Sequence, residues 1–450
     1  MEETQMEEEC KEEINGTQIE EKESDEIQME ERDSNSQTEV APALIAVHPF
    51  DQSVAVAVGS ELRIFNLAKN CSVSIESTEM LHKDAIRAVR FSDKGKLLVS
   101  AGDDKLVKIW STETWQCLCT VNSEKRVSAV AISKDEQYVC FADKFGVVWI
   151  VDLVGLAENQ PGSNKKAAEL FGHYCSIITS LEFSPNGSFI VSADRDFKIR
   201  VSVFPRSPLK GVHEIQSFCL GHSEFVSCLT FVHNSDFPQG FLVSGSGDST
   251  VCLWDVTSGL ALCTSEVGKE ANLSEEAHPA VIDLCATGDG SLVAVAIQRQ
   301  VSKVPWLQGI LLLSCDLSAG KLSTLKVIPV PGETFIPTRL GMALSKNLLW
   351  MVTGASNLPG SKATSFARIR ILSGFNESDT ETRVLEDQEI PGGEKLLEKL
   401  QGSVSVQGAD FSAAADTLNA AMSSLLRKKQ YSNEKREFRK KTRNDKKYNQ

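Results

Sequence analysis

The chain has 450 residues and carries 61 Asp and Glu against 47 Lys and Arg, a formal net charge of −14. A body this acidic argues against nucleic-acid binding through its general field, because phosphate binding depends on local positive charge. Its longest apolar runs, such as GILLLSC (309–315), fall far short of the ~20 residues that span a bilayer, so no membrane role is expected.

In chain order, residues 1–40 hold 16 acidic and three basic residues and show no apolar periodicity. They predict a disordered acidic segment, since they bury too little apolar surface to offset chain entropy. They also lack the basic start and apolar stretch of a signal peptide. From about residue 42, ALIAVHPFDQSVAVAVGSELRIFNL (43–67) gives three short strand-like runs separated by turn residues. The texture recurs at 81–120, at 126–153, from Gly172-His173 to about Phe204, from Gly221-His222 onward, at 280–317 and at 338–373. The intervals 154–168 and 299–308 read as loops on one rim. Residues 375–408 are polar, contain Pro391-Gly392-Gly393 and read as a linker. From Ala409, Phe411, Ala415, Leu418, Met422, Leu425 and Leu426 recur at helical spacing, and the rest is mostly charged.

One phrase recurs inside these units. SAGDDKLVKIWS follows His82, SADRDFKIRVS follows His173, and SGSGDSTVCLWD follows His222. Asp104 precedes Trp110, and Asp248 precedes Trp254, with five residues between; in the middle phrase Asp196 has that offset to Ser202, so the Trp is missing. Units of 40–45 residues with this grammar predict an all-β, seven-bladed WD40 β-propeller over 41–374, four strands per blade. His222, Asp248 and Trp254, with Asp104 and Trp110, are expected to fix the turns of their blades. They are not expected to form a catalytic pair, because no nucleophile motif, metal-site motif or phosphate loop accompanies them. No catalytic, metal or cofactor residue is therefore assigned. Twelve cysteines occur without a CxxC pair, as in reduced cytosolic or nuclear proteins.

The middle unit departs from the others. Period-two alternation places Lys198, Arg200 and Ser202 on one face of the third strand, where other blades carry Trp254 or Trp110. With Arg195 nearby, positive charge gathers where an apolar ring is usual. A partly desolvated Arg needs a carboxylate partner. Asp194 or Asp196 could supply it internally, or an acidic patch on another protein could. The basic tail, with Arg427, Lys428, Lys429, Lys435, Arg436, Arg439 and Lys440, reads as a solvated or nuclear-import run, or as a phosphate contact with Tyr431 and Phe438 available for stacking.

Three stretches, SPNGSFIVSADRDFKIRVS (184–202), IQSFCLGHSEFVS (215–227) and SGSGDSTVCLWDVTSG (244–259), go beyond generic repeat grammar. On them the chain resembles the WD-repeat, non-catalytic subunit of eukaryotic tRNA (guanine-N7)-methyltransferase. The resemblance implies a partner, a Rossmann-fold catalytic subunit that carries S-adenosylmethionine and methylates N7 of a guanosine in the tRNA variable loop. It implies a chain that contributes no reacting group; the expected location is the nucleus, with the cytoplasm as the alternative. It also implies that Arg195, Lys198 and Arg200, with Lys144 of the preceding unit, contact that partner, and that the tail faces tRNA. The alternative is a generic propeller adaptor, such as a ubiquitin-ligase substrate receptor. Such adaptors carry W-D-x-R at a blade end, and here Trp254-Asp255-Val256-Thr257 lacks the Arg.

Overall fold

A computed structural model describes residues 39–75, 81–155, 163–173, 176–270, 279–298, 309–330, 337–343, 348–357, 365–374, 382–402 and 417–418. The acidic segment up to residue 38, the 299–308 interval and the basic tail lie outside them.

Among the described residues, seven sheets, each antiparallel within its blade, follow one another along the chain. Blade one comprises Leu44–Val47, Ser53–Val58, Glu61–Asn66 and Cys71–Val73, and blade two Ile86–Phe91, Leu97–Gly102, Leu106–Ser111 and Cys117–Asn122. Blade three comprises Val127–Ile132, Tyr138–Asp143, Val147–Asp152 and Ala168–Gly172, and blade four Ile178–Phe183, Phe189–Asp194, Ile199–Val203 and Ile215–Cys219. Blade five runs from Val226–Val232 to Leu260–Glu266 and blade six from Ala280–Ala286 to Lys321–Pro329. Blade seven comprises Arg339–Met342, Leu348–Ser356, Ser365–Ser373 and Arg383–Val384. The first strand of each blade packs against the first strands of its two neighbours, and that of blade seven against that of blade one, which closes the ring. The expected seven-bladed propeller is therefore the architecture observed.

Alternating strand faces drive this packing. In blade five, Trp254 and Cys252 point toward Val191, Ile199 and Val201 of blade four in one apolar layer. Ile178, Leu181 and Phe183 of blade four pack on Cys140, Ala142 and Ile150 of blade three. Trp110, Trp254 and Trp350 are at most 1% exposed; truncating a ring so enclosed costs about 3–5 kcal/mol.

A recurrent bulge adds a polar link between blades. The inner strands shift register at Val127/Ala129, Ile178/Ser180 and Val226/Cys228. The hydroxyl in each shift turns outward to a main-chain carbonyl of the next blade: Ser128 donates to Ile178 (2.7 Å), Thr179 to Val226 (2.6 Å) and Ser227 to Val281 (2.6 Å). Bulges re-aim side chains in this way. At the ring junction Thr338 donates to the Ala43 carbonyl at 2.7 Å.

Two stretches depart from the reading of the sequence. Ser163–Lys165, within the expected 154–168 loop, pairs parallel with the outer strand of blade two. The polar 375–408 stretch, read as a linker, contains Arg383–Val384 and the helix Gly393–Gln401. Leu396, Leu397 and Leu400 of that helix are buried against Phe65, Trp350 and Ile369, so it packs across blades one and seven. Arg63 donates to the carbonyls of Leu400 (3.2 Å) and Gln401 (2.8 Å), satisfying two groups that a helix end leaves unpaired. Ala41–Pro42 pairs with Ser356 and Ala355 of blade seven, a second tie between chain start and last blade. Leu418, at one of the expected helical positions, is helical and fully buried.

Candidate docking face on blades three and four

The blade-fixing networks form as the residue types require. In blade two, His82 Nδ1 lies 2.8 Å from Asp104 and Nε2 2.8 Å from Ser100 Oγ, which also accepts from the Trp110 indole at 2.9 Å. In blade five, the distances are 3.1 Å for His222 to Asp248, 2.7 Å for His222 to Ser244 and 2.8 Å for Trp254 to Ser244. Burial opposes charge on His222, but the hydrogen bonds to Asp248 and Cys252 prevail and raise its pKa to about 9. Burial likewise opposes the Asp248 charge, and hydrogen bonds from His222, Thr250 and the Ser223 amide hold it well below the usual carboxylate range. The central Ser100 and Ser244 were not assigned from sequence, although the same Ser recurs in all three phrases. Burial pushes the Cys228 and Cys285 thiols up to about 12, so these side chains are small apolar fillers at neutral pH.

Blade four keeps the His and the Ser but changes the acid. His173 Nδ1 lies 2.9 Å from Asp194, and Nε2 2.6 Å from Ser192 Oγ. The acid is thus Asp194, two residues before the position that the Trp offset indicated. Asp194 ends its strand and also accepts from the amides of Asp196 and Lys198, so it is the better-placed cap of the turn. Blade three uses the same position: Asp143 accepts from the Trp149 indole at 2.9 Å and from the amides of Phe145 and Val147.

With Asp194 occupied, Arg200 turns elsewhere. Ser202, which replaces the signature Trp, is fully buried and accepts from Arg200 Nε at 2.9 Å. The guanidinium lies over the Phe171 ring of blade three, 4.4 Å from its centroid, and Nη1 donates to the Gly172 carbonyl at 3.1 Å. Among the described residues no carboxylate pairs with it. Burial lowers its pKa, the mark of a cation stripped of part of its water. Of the alternatives that the sequence left open, Asp194 does not accept Arg200: its carboxylate is held by His173 and by the amides of Asp196 and Lys198.

The other three candidates sit on the turns between second and third strands. Lys144 of blade three and Arg195 of blade four occupy equivalent positions, their amides donating to the Arg126 (2.9 Å) and Ile177 (3.0 Å) carbonyls. Lys144 Nζ lies 3.6 Å from Asp103 of blade two, so its charge is shared with that junction. Arg195 is half-buried and Lys198 is exposed. The structure thus brings Lys144 and Arg195 to matching turns of adjacent blades, with Lys198 and Arg200 just beyond. The same turns expose two aromatic rings, Phe145 at 63% and Phe197 at 45%, which the sequence reading passed over. Among the described residues, no group of three or more His, Cys, Asp and Glu could hold a metal ion, and no helix is long and apolar enough to cross a membrane.

A closed ring of seven WD40-type blades with a basic, aromatic-tipped junction defines a WD-repeat propeller, a class of docking scaffold. The model of the tRNA methyltransferase TRM82 WD40 domain family matches residues 2–171 and 157–335, and the chain belongs to that family. It is 29% identical over 310 residues to a protein of Dictyostelium discoideum named as the non-catalytic subunit wdr4 of tRNA (guanine-N(7)-)-methyltransferase, covering 66% of this chain and 63% of that protein. It is 36% identical over 226 residues to the subunit of that name in Danio rerio, covering 49% of this chain and 50% of that one. The chain therefore spans less than two thirds of the length of these curated relatives. Among solved structures, U3-55K aligns with a TM-score of 0.53 at 21% identity over 69% of this chain and 88% of that one, a likeness of fold alone.

Proposed function

We propose that this chain is the non-catalytic scaffold subunit of a tRNA (guanine-N7)-methyltransferase heterodimer. Its blade three–four junction grips a Rossmann-fold catalytic subunit that binds S-adenosylmethionine. That subunit, held and oriented, methylates N7 of a guanosine in the tRNA variable loop. N7 carries an exposed lone pair and attacks an activated methyl group without prior deprotonation, so no general base is required of this chain. The basic tail contacts tRNA, and the complex works in the nucleus.

The observation that carries this reading is Arg200. A guanidinium half out of water, stacked on Phe171 and without a described carboxylate, is completed by an acidic side chain delivered by a partner. Two nitrogens in a fixed fork favour bidentate carboxylate recognition, which Lys cannot reproduce.

The test is Arg200→Glu, titrated with the purified catalytic subunit. Reversing a charge across an ion-pair contact costs several kcal/mol, so affinity should fall by about a hundredfold or more with the melting temperature little changed. Unaltered affinity refutes the assignment of this face. Methyl transfer to tRNA by this chain alone refutes the scaffold reading.

A further inference from the structure

One of the two exposed rings on the candidate face, that of Phe197, stands where the turn imposes a backbone conformation that its residue type rarely adopts. The turn between second and third strands places one residue in left-handed backbone in each of blades two to five: Lys105 (φ 64°), Gly146 (φ 86°), Phe197 (φ 66°) and Ser249 (φ 67°). At Gly146 the need is steric, since a Cβ there would lie 2.3 Å from the Ser176 carbonyl. Phe197 meets no such need. A bulky aromatic residue is an outlier in that conformation, and this one is 45% exposed. It therefore combines backbone strain with an apolar ring left in water, the pairing that marks functional positions. Phe145, on the adjacent blade, is still more exposed, and Lys125 Nζ sits 4.8 Å from its ring centroid, holding the ring in place.

We infer that Phe145 and Phe197 are the apolar anchors of the interface, seated in a pocket of the catalytic subunit whose rim carries carboxylates. The inference rests on the reading of this face as the docking site. The positive residues beside the rings, Lys125 and Lys198 with Arg200 beyond, set the chemistry of the occupant: a polypeptide surface with an apolar centre and an acidic border. The rings displace water at the centre, while the cations choose the partner and fix its register. An ordered ring gives up little conformational freedom on binding, and strained backbone at Phe197 holds its ring out in advance.

Phe197→Asn suits left-handed backbone and removes the ring; Phe145→Ser removes the other. Full-length protein carrying each change, both together, or Arg200→Glu is titrated with the purified catalytic subunit and, separately, with tRNA, and each variant is melted. The expected result is about a tenfold loss of partner affinity for each Phe variant, more for the pair, and for Phe197→Asn a melting temperature equal to or above that of the parent. If Arg200→Glu weakens the complex while the Phe variants bind normally, the anchors are refuted and the face stands. If Arg200→Glu has no effect, the face and the anchors fall together. A lowered melting temperature with unchanged affinity overturns the inference in favour of a structural role. Loss confined to tRNA binding overturns it in favour of a nucleic-acid surface.

Discussion

Arg90 on the inner strand of blade two and Glu182 on the inner strand of blade four form a two-pronged ion pair that bypasses blade three, with Nη1 to Oε2 at 2.7 Å. The equivalent position of blade three is Ala131, which offers no polar group. Burial opposes charge on Arg90, but Glu182 outweighs it and the guanidinium pKa is raised. The pair therefore ties two non-neighbouring blades across the ring. Removing one partner strands a half-buried charge, whereas removing both strands none. We expect Arg90→Ala or Glu182→Ala to destabilise by about 1–3 kcal/mol, and the double variant to cost less than the sum. Urea denaturation of the four proteins checks this; strictly additive losses would show that the pair contributes no coupling.

The His222–Asp248 network gives a pH dependence with a definite sign. The His222 pKa is raised from 6.5 to about 9. Its contribution to stability is therefore fully present below pH 6.5 and is lost as pH rises through about 9. The Asp248 pKa is lowered from 3.8, so its contribution is present above that value and is lost as pH falls below it. Blade five should be most secure between about pH 4 and 6.5. Melting temperature should fall between pH 7 and 9.5, and His222→Gln should lower it at pH 6 while removing most of that slope. An identical slope in the variant would place the titrating group elsewhere.

The propeller was legible because strand periodicity and turn chemistry are local signals. Even blades six and seven, without signature residues, kept alternating apolar runs between turns. The helix that packs across blades one and seven was not legible. Leu396, Leu397 and Leu400 are only three apolar residues in a charged stretch, and they become a packing face when Phe65 of the first blade, hundreds of residues upstream, and Trp350 of the last blade meet on them. Which Asp of blade four holds His173 was not legible for a related reason. Spacing back from the lost Trp pointed to Asp196, whereas the carboxylate is chosen by the strand end, where Asp194 also caps the turn. Arg200 was legible as an anomaly, because Ser202 stood where Trp was due. Its bed on Phe171 was not, since that ring belongs to the outer strand of another blade. Phe145 and Phe197 carried no signal in the sequence, because what sets them apart is their exposure.

The last prediction separates the body from the tail. Residues 425–450 hold 11 basic and three acidic residues in a chain whose remainder is acidic. If they touch phosphates, each neutralised phosphate releases counterions and adds about 0.7–0.9 to the slope of log affinity against log salt. Truncation after Ser424 removes these charges without touching blades three and four. For the complete heterodimer, tRNA affinity at low salt should fall and the slope should flatten by about 3–5, the equivalent of four to six contacts. Affinity between the subunits should not change, because their contact face is retained. Measuring tRNA binding at several salt concentrations tests both statements at once. A parallel shift, with weaker binding and the same slope, would mean that the tail acts by ordering its neighbours. An unchanged curve would confine RNA contact to the partner and the propeller.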